Sequence, residues 1–254
     1  MGIIKIKSED EIKLMRMAGA IVASVLDELG RMVKPGISTL EIDQAGEKLI
    51  RSKGADPVFI GYRGYRNATC LSVNEEVVHG IPGNRILREG DIIGVDVGVK
   101  CNGYCGDTAT TFPVGKIPGK LSKLLRVGKE ALRLAIRQAR AGKHLGDISQ
   151  AVQQQAEKNG YSVVRDLYGH GIGRDLHEDP LIPNYGKTGE GPELKPGMVL
   201  AIEPMINLGG WKIRTLMDGW TVITEDSQYS CHFEHTVLVT EDEPEVLTWL
   251  KTKM

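Results

Sequence analysis

The chain has 254 residues, 41% of them hydrophobic and 26% charged, with 32 Lys and Arg against 33 Asp and Glu for a formal net charge of −1. That balance excludes a polybasic nucleic-acid binder and an acidic disordered tail, and the length suits one large domain or two small ones. Cysteines stand only at positions 70, 101, 105 and 231, without a C-x-x-C pair; no signal-peptide segment or apolar run of membrane-span length is present, so reduced thiols in a soluble cytoplasmic protein are expected.

In chain order, Ser8-Glu9-Asp10-Glu11 has capping-box form, and Ile12, Met15, Ile21, Val22, Val25, Leu26 and Leu29 make a helical stripe that Pro35-Gly36 ends. Ser38-Thr39-Leu40-Glu41 repeats the cap and leads a second helix to about Lys53, with Gly54 suited to its C-terminus. Phe59, Tyr62 and Tyr65 then gather three of a sparse set of aromatics, and His79 interrupts the apolar stretch Val77-Val78-His79-Gly80-Ile81-Pro82. The run from Ile92 to Val99 reads as a buried strand whose one charged residue is Asp96. Asn102-Gly103 predicts a tight hairpin, which sets residue 98 opposite Asp107 on the returning strand. Asp96 shares a face with residue 98, so the two aspartates become diagonal neighbours. A linker is expected near Pro113 to Lys120, then a helix across Leu124 to Ala139, a stop at Gly142 and a further helix from Asp147 to Asn159-Gly160. His144, after the stop, reads as a solvated residue.

The second half repeats the first. Arg31, Gly36 and Ile42 align with Arg137, Gly142 and Ile148 at a shift of 106, and Leu87, Gly90, Val95 and Asp96 with Leu194, Gly197, Ile202 and Glu203 at a shift of 107. Two helix-plus-sheet halves related by a pseudo-twofold follow, about 8–112 and 121–248 within a single catalytic domain 1–254. Further acids interrupt apolar strands at Glu203, before Pro204, and at Glu234, flanked by His232 and His235, which read as strand-surface residues. His170 lies in a glycine-flexed His-Gly-Ile-Gly segment and His177 follows it; there is no H-E-x-x-H, no phosphate loop and no dinucleotide fingerprint.

Alone, any one of these acids reads as a strand-end cap. Together, Asp96, Asp107, His170, Glu203 and Glu234 read as ligands of a pair of divalent metal ions, because four ionised carboxylates are neutralised by two dications and would otherwise repel one another and retain protons. A mainly oxygen set with one imidazole suits manganese, iron(II), cobalt or zinc, and two such ions activate water and polarise a carbonyl, which is hydrolytic chemistry.

The strings His79-Gly80-Ile81-Pro82, Asp96 and Asp107 about one hairpin, Gly169-His170-Gly171-Ile172-Gly173, Ile202-Glu203-Pro204-Met205 and Glu234-His235-Thr236 resemble type I methionine aminopeptidases from about Ile12 to Leu247. The resemblance implies the α+β pita-bread fold, a pseudo-twofold set of helices around a curved antiparallel sheet, and removal of the initiator methionine from chains with a small second residue. It implies that Asp107, His170 and Glu203 hold one ion and Asp96 the other, with Asp107 and Glu234 bridging. Glu203 would also take a proton from the attacking water, with His79 near the scissile nitrogen and His177 on the developing oxyanion. Tyr62, Tyr65, Cys70 and Trp220 match the methionine pocket. Phe59 and Leu176 stand where bacterial relatives often carry cysteine and phenylalanine, which alters pocket shape and leaves the catalytic set intact. Only 30 residues separate Glu203 from Glu234, too few for the type II insert, and no cysteine-rich extension is present, so a minimal bacterial-style enzyme is implied. Its expected partners are N-terminal Met peptides, nascent chains and the ribosome, with no membrane and no nucleic-acid specificity, and the expected state is a monomer. The competing readings are a proline-selective peptidase on the same fold and a metal-free interaction module.

Overall fold

The structure, a computed structural model, describes residues 2–249. Its first half runs α1 (Glu9–Met32), α2 (Thr39–Ser52), β1 (Asp56–Pro57), β2 (Thr69–Val73), β3 (Glu76–Val78), β4 (Ile92–Cys101) and β5 (Tyr104–Pro113). The second runs α3 (Gly119–Ile136), α4 (Leu145–Glu157), β6 (Ser162–Val163), β7 (Tyr168–Gly171), β8 (Glu178–Pro183), β9 (Val199–Ile202), β10 (Met205–Asn207), β11 (Ile213–Thr215), β12 (Val222–Thr224), β13 (Ser230–Leu238) and β14 (Glu245–Val246). The main sheet has the strand order β1-β4-β5-β13-β9-β7-β8 and is antiparallel throughout. Its centre carries the symmetry: β4 and β5 from the first half lie beside β13 and β9 from the second, so the pseudo-twofold falls between β5 and β13.

Both capping boxes form as expected. Ser8 and Ser38 accept from the backbone of Glu11 and Glu41, whose carboxylates reach back to the cap N–H groups. Alternation then sorts β4: Ile93, Val95, Val97 and Val99 pack against α1 and α2 in one core cluster. Each such side chain contributes roughly 1.5–3 kcal/mol of burial. The opposite face, Gly94, Asp96 and Gly98, is small or acidic and looks toward the centre of the molecule. Helices α3 and α4 cover the second half in the same way, through Leu124, Ala131, Ile148 and Val152 packed with Leu200, Ile206 and Phe233. At the β4–β5 turn Asn102 and Gly103 both have positive φ, 50° and 82°, and the register sets Gly98 opposite Asp107 as the hairpin signal required.

Two helix starts differ from expectation. Helix α3 begins at Gly119, directly after Pro118, rather than at Leu124, and ends at Ile136. Helix α4 begins at Leu145 rather than Asp147, because Asp147 turns back and accepts the His144 backbone N–H at 2.7 Å. His144 is therefore the N-cap residue and half-buried, not merely solvated.

Candidate metal centre

The register explains how distant residues meet. Across the sheet, Asp96 pairs with Ala109 and Ala109 with Glu234, while His235 pairs with Ile202, which puts Glu203 beside Glu234. One row along, Gly98 pairs with Asp107, the Thr236 hydroxyl bridges the Asp107 backbone, and Thr236 and His170 both pair with Ala201. Residues two apart on a strand share a face, so these rows bring Asp96, Asp107, His170, Glu203 and Glu234 onto one surface.

One ligand atom from each of Asp107, His170 and Glu234 lies within 4.8 Å of the other two. Glu203 stands beside them, with Oε1 3.5 Å from His170 Nε2 and Oε2 3.4 Å from His232 Nε2. His170 donates from Nδ1 to its neighbour's carbonyl, Gly171 O, at 2.9 Å, which leaves Nε2 as the lone-pair nitrogen facing the cluster. Asp96 Oδ1, Asp107 Oδ1 and Glu234 Oε1 are buried without hydrogen-bond partners. Burial first, then repulsion from Glu203 at all three and from Asp107 at Asp96 and Glu234, pushes these carboxyls well above the usual range. For Glu203 burial also acts upward, but the neighbouring imidazoles of His232, His170 and His177 outweigh it and hold the group below its ordinary value. Unsatisfied carboxylate oxygens converging on one imidazole nitrogen fit divalent cations and fit little else.

A cavity of about 340 Å³ opens over this cluster. Phe59, Tyr62, Tyr65, Cys70, His79, His177 and Trp220, together with the five acid and histidine positions and Leu176, all line it. The residues that sequence reasoning missed there are Val78, Leu167, Tyr168, Leu181 and Met205, with Arg63 at the margin. A larger groove of about 1180 Å³ runs outside α3, and none of those thirteen positions faces it.

The aromatic wall is tied together by edge contacts, Tyr65 to Trp220 at 5.0 Å and Trp220 to His79 at 6.2 Å between ring centroids. Cys70 pairs with Asp96 in register, and burial followed by that carboxylate pushes its thiol up, so it stays protonated. His79 has φ of 60°, a left-handed conformation that costs a non-glycine residue on the order of 1–3 kcal/mol. The next residue holds it there: Gly80 O accepts from Leu71 N at 2.9 Å and the Tyr65 hydroxyl at 3.1 Å, and Gly80 N donates to Ser72 Oγ at 3.2 Å. Burial keeps the His79 imidazole below its ordinary value, hence neutral at pH 7. His177 stands exposed at the mouth, its ring 4.1 Å from that of His170 and 5.1 Å from that of Tyr62. Its segment is anchored by Glu178, which accepts from Lys7 at 2.7 Å and Lys5 at 3.0 Å.

The expectation for two histidines is corrected here. His232 is not on the strand surface but buried beside Glu203. His235, half-buried, points to the opposite face and meets Thr248 Oγ1 at 2.8 Å. Strand alternation is the reason, since His232 shares the face of Glu234 and His235 does not. All four cysteines are free and buried.

Residues 13–241 match metallopeptidase family M24. Methionine aminopeptidase 1 of Bacillus subtilis is 52% identical over 242 residues, covering 95% of this chain and 98% of that protein. The chain belongs to the methionine aminopeptidases of metallopeptidase family M24. A solved methionine aminopeptidase from Rickettsia prowazekii superimposes on this family member with a TM-score of 0.96 at 42% identity, covering 97% of this chain and all of that one. The prolidase from Pyrococcus furiosus shares the fold alone, with a TM-score of 0.78 at 24% identity over 66% of its length. The M24 assignment agrees with the pita-bread α+β architecture described above. Among the described residues no helix is long and apolar enough to cross a membrane.

Proposed function

We propose that this chain removes the initiator methionine from newly made polypeptides with a small second residue, as a single catalytic domain with half-units at 8–112 and 121–248. The observation that carries the proposal is the set of unsatisfied buried carboxylate oxygens on Asp96, Asp107 and Glu234 at the floor of an aromatic-walled cavity. Asp107, His170 and Glu203 would hold one divalent ion and Asp96 the other, with Asp107 and Glu234 shared. Bound there, manganese, iron(II), cobalt or zinc supplies Lewis-acid activation of water and carbonyl and an anchor for a free α-amino group.

The chain's own residues do the rest. Phe59, Tyr62, Tyr65, Cys70 and Trp220 offer a dry, polarisable wall for a thioether side chain. A carboxylate oxygen of Glu203 takes the proton from the attacking water. His177, at the mouth, donates a hydrogen bond to the oxygen on which negative charge grows, and neutral His79 serves near the departing nitrogen. Support for these roles comes from the convergence of the named side chains on one cavity. The substrates are N-terminal Met peptides and nascent chains in the cytoplasm, reached at the ribosome by a monomer.

The test is a peptide panel with metal-loaded protein. Cleavage of Met-Ala-Ser with little turnover of Xaa-Pro peptides is expected, and the reverse preference would reject the reading in favour of a proline-selective enzyme. No turnover at all with tight absence of bound metal would favour an interaction module.

A further inference from the structure

His232 belongs to none of the roles above, yet it is buried in the centre. It follows from β13 alternation that His232, Glu234 and Thr236 share the site face, and His232 also pairs in register with Met205, which lines the cavity. The His232 side chain is only 5% exposed, and its Nε2 is fully buried without a satisfied hydrogen bond. The nearest acceptor is Glu203 Oε2 at 3.4 Å. His232 itself does not line the cavity, so it stands behind Glu203 rather than in contact with substrate.

The tautomer follows from electrostatics. An imidazole lone pair aimed at a carboxylate oxygen is repelled, so the nitrogen facing Oε2 is the one that carries hydrogen. A charge-assisted N–H···O bond settles at about 2.7–2.9 Å, so a closure of roughly 0.5–0.7 Å with the N–H turned toward the oxygen completes it. Glu203 is otherwise hard to hold still. Its other oxygen faces His170 Nε2, which must be a bare lone pair to serve as a ligand and therefore cannot donate.

We propose that His232 is a positioning residue that donates from Nε2 to Glu203 Oε2, fixing the carboxylate so that Oε1 faces the ion site and the attacking water. The inference rests on the reading of Glu203 as ligand and proton acceptor. Neighbours of this kind, which orient a ligand without touching the metal, typically cost 10–100-fold in affinity or rate when removed.

The experiment compares His232→Leu, which removes the donor, with His232→Gln, whose amide N–H retains one. Calorimetric titration of the metal-free proteins with Mn²⁺ should show binding weakened about 10-fold or more in His232→Leu and restored to within about threefold of wild type in His232→Gln. On Met-Ala-Ser, kcat should fall about 10-fold in His232→Leu with KM within about twofold, and His232→Gln should again recover. In a Glu203→Gln background His232→Leu should cause no further loss, because the two act as one unit. Wild-type Mn²⁺ affinity and kcat in His232→Leu, failure of His232→Gln to recover a folded protein's activity, or additive losses in the double variant would overturn the inference alone. Full turnover by Glu203→Gln itself would overturn the role of Glu203, and the inference with it.

Discussion

Gly98 lies under Phe59 in the wall of the proposed methionine pocket, and Gly98→Ala tests whether its missing side chain sets the pocket's shape. A Cβ built there would lie 2.5 Å from Phe59 Cε1 and 2.7 Å from Val58 Cγ1. Ordinary carbon contacts settle near 3.5–4.0 Å, so the phenyl ring must retreat by about 1 Å. Gly98 shares its face with Asp96 and pairs with Asp107, and Phe59 lines the cavity above them, so the open side available to the ring is the pocket itself. Overpacking of this size costs on the order of 1–3 kcal/mol. For a chain of this length that corresponds to a fall in Tm of about 2–12 °C. Any 1 kcal/mol expressed at the pocket would raise KM for a Met peptide about fivefold. Thermal unfolding and steady-state kinetics on the manganese-loaded protein read the two effects, and adding Phe59→Leu should relieve both. Unchanged Tm and KM in Gly98→Ala would refute the claim that this glycine exists to seat Phe59.

Further predictions concern the charges. Glu203→Gln preserves volume while removing the proposed proton acceptor, and turnover of Met-Ala-Ser should fall at least ~10²-fold; a wild-type rate would rule out the proposed role. In metal-free protein the carboxyls of Asp96, Asp107 and Glu234 titrate above their unfolded values. Their contribution to stability is thus complete below pH ~4 and is lost as pH rises toward their folded values. Chelated protein should therefore lose stability progressively as pH rises above about 4, with a shallower slope in Glu234→Gln, and Mn²⁺ binding should release protons, seen as a buffer-dependent calorimetric enthalpy. A flat profile and no proton release would contradict the burial argument. His79→Ala should lower kcat while leaving the metal content measured by elemental analysis at the wild-type level, and loss of metal would place His79 among the ligands instead.

Much of this molecule is legible from local signals. The capping serines Ser8 and Ser38, the Asn102-Gly103 turn and the register that makes Asp96 and Asp107 diagonal neighbours depend on residues close in sequence, and all appear in the structure. The internal repeat is legible because both halves solve the same packing problem, and the sheet order β4-β5-β13-β9 displays it. Helix starts are less legible: α4 begins where a side chain returns to its own N-cap, and Asp147 looks like a first residue although it is the third. The inward face of His232 is legible too, since a residue two before Glu234 on a strand shares its face. By contrast, Leu167, Tyr168 and Leu181 reach the cavity through the β7–β8 pairing, and β3 joins β12 and β11 across more than a hundred residues. Such long-range juxtapositions leave no pattern in a single sequence.

Crystals grown or soaked with Mn²⁺ put the account to its most direct trial, with anomalous scattering recorded at the manganese edge. Two peaks are expected within reach of Asp96, Asp107, His170, Glu203 and Glu234, sharing Asp107 and Glu234 between them. No anomalous signal among those five side chains, at a manganese concentration that supports peptide cleavage, would contradict it.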